Sequence, residues 1–140
     1  MEADSENKKK ILLADDDGWL ALAIEAKLKT AGYKVLSLWD GFSLWSSVQS
    51  FEPDLLILSM QLPGVEPLEI CRRLHLAGGR HLPVILVTRH YSENQVVEAL
   101  KLGVEEIVAK PLCLRELTTR AESLLGVFHR LPKEADPQEE

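Results

Sequence analysis

The stretch from Pro53 to Gly64, P-D-L-L-I-L-S-M-Q-L-P-G, limits most tightly what this chain can fold into. Its apolar run, Asp54 to Leu58, is too short and too uniformly apolar for an amphipathic surface helix. A strand buried on both faces accounts for it, and such strands belong to parallel sheets covered by helices. Ser59 then stands at the carboxyl end of that strand, ahead of a Pro-Gly turn. In open α/β sheets, ligands gather outside the carboxyl ends of the strands, where the winding reverses. What Ser59 meets there decides what the chain does.

The rest of the chain repeats the pattern. Lys10 to Ala14, Lys34 to Leu38, Pro83 to Thr88 and Glu106 to Ala109 read as further strands. Between them the apolar residues fall at helical spacing. Gly18 to about Ala31 carries Leu20, Ala23, Ile24 and Leu28 on one stripe and is stopped by Gly32. Phe42 to Phe51 turns Leu44, Trp45 and Val48 toward the sheet. Pro67 opens a helix to about Leu76, in the first turn where a missing N–H does no harm. Ser92 suits the N-cap of a helix to about Leu102. Leu114, Leu117, Ala121, Leu124 and Phe128 form the buried stripe of a last helix, Leu112 to Phe128. Five strands alternating with five helices predict an α/β fold, a doubly wound five-stranded parallel sheet with right-handed crossovers.

Composition narrows the class. With 140 residues, 46% of them hydrophobic, the chain can bury one core. The expected organisation is a disordered leader over residues 1–9, one domain over 10–128 and an acidic tail or linker over 129–140. A formal charge of −6 speaks against a nucleic-acid surface, which needs clustered Lys and Arg. No apolar run approaches the roughly 20 residues of a membrane span, and the polar start from Met1 to Lys10 is unlike a signal peptide. A cytoplasmic protein with no membrane partner is expected. Cys71 and Cys113, far apart among apolar neighbours, read as reduced, partly buried thiols. His75, His81 and His129 show no metal-ligand spacing.

The polar residues at the strand ends converge in such a fold. Asp15 and Asp16 close the first strand, Ser59 the third, Thr88 the fourth and Lys110 the fifth. The motifs I-L-L-A-D-D-D, P-D-L-L-I-L-S-M-Q-L-P-G, P-V-I-L-V-T and A-K-P, over about Lys10 to Leu125, resemble the receiver domain of two-component response regulators, the CheY-like, flavodoxin-like fold. The resemblance implies that Asp15 and Asp16 are the acidic pair that helps hold Mg²⁺, with the backbone carbonyl of Gln61 as a further ligand. It makes Thr88 the switch hydroxyl and Lys110 the phosphate-contacting lysine. It also implies partners among kinases or output proteins, met through the fourth helix, fifth strand and last helix, with Val96 and Leu112 as candidate contacts. Pairing into a homodimer is a further expectation.

The chain departs from that family at the centre, because the phospho-accepting aspartate falls on Ser59. Asp54 cannot substitute, lying about 17 Å away at the other end of the strand at roughly 3.3 Å per residue. A serine hydroxyl without a general base is a poor nucleophile, and its ester lacks the lability of an acyl phosphate. A phosphorylation-independent pseudo-receiver acting through protein-protein interaction, not an enzyme, is expected, with no required cofactor and weak Mg²⁺ binding. The Ser59 hydroxyl is expected to donate to Asp15 or Asp16 and accept from Lys110. Two alternatives stay open: a working phosphorelay receiver with an unconventional acceptor or a modified Ser59, and, remotely, a Ser59 hydrolase with His90 as base and Asp15 or Asp16 as its orienting acid. Arg89 and Ile107 stand where the family often has a small and an aromatic residue. Arg89 could pair with Asp16 or Asp17 across the pocket mouth, and Trp19 could shield the acidic end or pack.

Overall fold

The computed structural model describes residues 7–78 and 81–126. The leader expected over residues 1–9 and the tail expected over 129–140 fall wholly or largely outside them. Ten elements alternate along the chain: β1 (Lys10–Ala14), α1 (Gly18–Thr30), β2 (Lys34–Leu38), α2 (Leu44–Phe51), β3 (Leu55–Ser59), α3 (Pro67–Ala77), β4 (Val84–Thr88), α4 (Glu93–Lys101), β5 (Glu106–Ala109) and α5 (Leu114–Leu124). All strand pairings are parallel, in the order β2-β1-β3-β4-β5. The winding therefore reverses between β1 and β3. The expected doubly wound sheet is what the chain forms.

Strand periodicity sorts the core into two layers, because successive side chains leave opposite faces. Ile11, Leu13, Leu55, Ile57, Ile85, Val87 and Val108 meet Ala21, Ile24 and Leu28 of α1 and Leu117 and Ala121 of α5. Leu12, Ala14, Leu56, Leu58, Val84 and Leu86 meet Leu44 of α2, Leu68, Ile70 and Cys71 of α3 and Ala99 of α4. Every residue of β3 and β4 is buried. Each fully buried leucine or isoleucine contributes about 1.5–3 kcal/mol by removing its surface from water.

Helix ends follow local chemistry. Asp17 caps α1 by accepting from the Leu20 N–H at 3.2 Å. Ser92 and Gln95 form a reciprocal capping box on α4. Two expectations about burial are corrected. On α1 the sheet-facing alanine is Ala21, and Ala23 is exposed: the stripe is rotated so that Ala21, Ile24 and Leu28 point inward. Cys113 is exposed at the start of α5, whereas Cys71 is buried. Phe42 precedes α2 rather than opening it, and its ring is 82% exposed.

Candidate functional site

Backbone hydrogen bonds carry the sheet one residue past its strand ends and so fix the polar residues found there. The Asp15 N–H donates to the Leu38 carbonyl at 3.0 Å, the Met60 N–H to Val87 at 2.8 Å and the Lys110 N–H to Thr88 at 2.8 Å. The period of two then places Asp15 and Ser59 in line with the face covered by α1 and α5, and Thr88 with the face covered by α4. The Lys110–Pro111 peptide is cis.

Asp15 is buried, and its charge is matched. The Lys110 ammonium lies 3.1 Å from each carboxylate oxygen. Oδ1 also accepts from the Asp17 N–H at 2.9 Å, while Oδ2 receives no directed hydrogen bond. Only such pairing makes a carboxylate tolerable so deep in the fold. Asp16, next in sequence, is exposed.

Ser59 does not make the expected contacts with these groups. Fully buried, its hydroxyl accepts from the Gln61 backbone N–H at 3.1 Å. Local closure wins because the turn after β3 leaves that N–H in need of an acceptor, and Asp15 already engages Lys110. Thr88 is likewise committed. Its hydroxyl donates to the His90 carbonyl at 2.6 Å and accepts from the Gln61 side-chain amide at 3.0 Å. The same Gln61 amide accepts from the Arg89 N–H at 3.1 Å. Gln61 thus ties the end of β3 to the end of β4 through its side chain, a role that its expected backbone contribution gave no hint of.

Asp17, Leu20, Arg89, Lys110, Pro111 and Leu112 line an open cavity of about 590 Å³ at the mouth. Arg89 lines it without an ion pair to Asp16 or Asp17. Trp19 neither shields the pocket nor packs, since it is 85% exposed: the first turn of α1 turns it outward. Ile107 is half-buried against the layer beneath α4. No hydrogen bond joins the His90 ring to Ser59. On α4, Val97 and Leu100 are the exposed apolar residues, whereas Val96 and Leu112 are half-buried.

The donor set fits a divalent cation poorly. Asp15 Oδ2, buried and short of a hydrogen bond, is well placed to ligate, with Asp16 and the Gln61 carbonyl nearby in sequence to the same strand ends. Against this, a neutral hydroxyl stands at the end of β3, and an ammonium already sits 3.1 Å from Oδ2. Mg²⁺ favours carboxylates and near-octahedral oxygen geometry. Among the described residues no group of three or more His, Cys, Asp or Glu is placed to hold a metal.

The model of the response regulator receiver domain family matches residues 11–122. Three solved structures illustrate the likeness. A response regulator signal receiver domain from Bermanella marisrubri is 26% identical, with a TM-score of 0.76 over 86% of this chain and 100% of that one. A putative response regulator from Chloroflexus aurantiacus is also 26% identical, with a TM-score of 0.75 over 85% and 98%. A CheY-like receiver domain protein from Methanospirillum hungatei, 23% identical, has a TM-score of 0.78 over 88% and 98% and shares the fold.

Proposed function

This chain belongs to the response regulator receiver domain family, and from that premise we propose that it is a signalling module working through protein-protein contacts without phosphorylation of Ser59. The observation that carries this reading is the state of Ser59. It occupies the carboxyl end of β3, is fully buried, and its hydroxyl is held by the Gln61 N–H. A nucleophile needs an engaged base and an approach path, whereas the Ser59 hydroxyl is buried and bonded within its own loop. The remaining groups bond to each other: Lys110 with Asp15, and Thr88 with Gln61 and His90.

Charge leads the same way. Asp15, Asp16 and Lys110 sum to −1, whereas a third carboxylate would make it −2. At an effective dielectric near 20, a unit-charge pair at about 4 Å is worth roughly 4 kcal/mol, so the missing carboxylate removes much of the attraction for a divalent ion. Mg²⁺ binding is accordingly weak and not required, and the module is not an enzyme. Its partner is another signalling protein, a kinase or an output protein, docking on α4, β5 and α5, where Val97 and Leu100 offer exposed apolar surface.

Intact-mass analysis after incubation with Mg²⁺ and a small acyl-phosphate donor tests this, with wild type beside Ser59→Asp. An adduct on the variant alone is expected, meaning that the pocket survives and only the acceptor is gone. An adduct on the wild type would make the chain a working switch with an unconventional acceptor and sink the proposal.

A further inference from the structure

Of the four large aromatic side chains exposed among the described residues, three stand near one another in sequence and fold at the carboxyl edge of the sheet, and the fourth, Tyr91, lies before α4. Trp19, at the start of α1, is 85% exposed; Trp39 and Phe42, between β2 and α2, are 58% and 82% exposed. Tertiary contacts hold the last two in place. The Trp39 ring passes 3.9 Å from where a side chain on Gly18 would begin, and the Phe42 ring lies 3.0–3.2 Å from the corresponding point on Gly64. The Gly41 N–H donates to the Pro63 carbonyl at 2.7 Å, binding the loop before α2 to the loop before α3. The Phe42 N–H donates to Asp40 at 2.9 Å, so this loop has a defined turn. The aromatics form a shelf with a fixed backbone, and monomeric proteins seldom leave such rings in water without use.

On the loops that carry the shelf the charge has one sign, and Arg89 and Lys110 lie across the cavity from Asp17 and Leu20. Neither Lys nor Arg occurs from residue 11 to 26 or from 35 to 71. Asp16, Asp40 and Glu66 are exposed on the three loops concerned, and Asp17 is half-exposed beside them. Aromatic faces and carboxylates together favour cationic side chains that carry apolar stems. The acidic rim argues against an anionic lipid surface. It argues equally against a second copy meeting the same face, since a two-fold contact would set the acids against each other. The segment of this chain after residue 126 has the wrong sign, with Glu134, Asp136, Glu139 and Glu140 against Arg130 and Lys133.

We infer that the shelf of Trp19, Trp39 and Phe42 docks a segment of another protein that presents Arg or Lys beside apolar residues. This surface is separate from α4, β5 and α5, and it holds whether or not Ser59 accepts a phosphoryl group.

The chain contains three tryptophans, and the third, Trp45, is half-buried against the core and stacks with Arg73 at 4.4 Å. The full chain labelled with ¹⁵N-tryptophan, titrated with a synthetic amphipathic leucine/arginine peptide, is expected to show saturable indole shifts at Trp19 and Trp39 and none at Trp45. Trp39→Ser with Phe42→Ser should weaken binding about tenfold or more, as should Asp16→Asn with Glu66→Gln, with thermal melting unchanged in both. No saturable response, an equal response to a leucine/glutamate peptide, or a shift at Trp45 alone would overturn the inference. So would indole shifts that follow protein concentration without peptide, or that appear with phosphatidylglycerol vesicles in its place.

Discussion

Ser59 and Lys110 show how one missing carboxylate rearranges the groups around it. With no acid at the end of β3, the Lys110 ammonium pairs with Asp15, and the serine turns to its own loop. Restoring the acid in Ser59→Asp should tighten Mg²⁺ binding on the order of tenfold or more relative to wild type, read by titration of tryptophan fluorescence; equal affinities would refute the charge account. The pair itself is expected to matter for stability. Lys110→Met leaves Asp15 buried and unpaired and should lose about 3–5 kcal/mol, whereas Asp15→Asn with Lys110→Met should recover much of it, measured by urea unfolding. The thiols differ as sharply. Burial, with a smaller push from Glu105, raises the Cys71 thiol to about 11, while Cys113 is exposed. A disulfide reagent at neutral pH should label Cys113 promptly in the native protein and reach Cys71 only on unfolding.

Elements are joined by contacts that tolerate little change. A side chain on Gly41 would begin 2.2 Å from Val65 Cγ1, so Gly41→Ala should destabilise by about 1–3 kcal/mol through overpacking. Combining it with Val65→Gly should give a strongly non-additive cycle in thermal melts, because the clash is shared. Between α1 and β2, Glu25 bonds Ser37 at 3.0 Å and Lys29 at 2.6 Å. The Lys29 bond leads in lowering the Glu25 carboxyl below its ordinary 4.5, with Ser37 assisting against the opposing effect of burial. A lowered folded value stabilises above the unfolded value and is lost as pH falls through the folded one. Glu25→Gln should therefore cost about 0.5 kcal/mol at neutral pH, a difference that disappears in acid below the lowered value.

Across the whole molecule, sequence revealed what depends on periodicity and concealed what depends on rotamers. The strand runs are short, apolar and bounded by turn residues, so β1, β2 and β5 come out with the expected limits, and β3 and β4 within a residue. The alignment of Asp15, Ser59, Thr88 and Lys110 along the strand ends follows from that alone. On α1, by contrast, Ala21 and Ala23 are equivalent in a hydropathy pattern, and only the packing of the helix on the sheet exposes one of them. The Gln61 side chain could not be anticipated, because its reach to Thr88 and Arg89 is a matter of side-chain torsions across two loops. Trp19 at a helix start looked like packing, since most tryptophans find cover.

The Gln61 link between β3 and β4 bears on time. A receiver that cycles by acyl-phosphate formation and hydrolysis has a clock: the lifetime of the acyl phosphate sets how long a past stimulus is remembered. If the strand ends of this chain are already bonded to each other and no acyl phosphate forms, no such clock exists. Output would then track how many copies are present and how many partners are free, and its persistence would be that of protein synthesis and turnover.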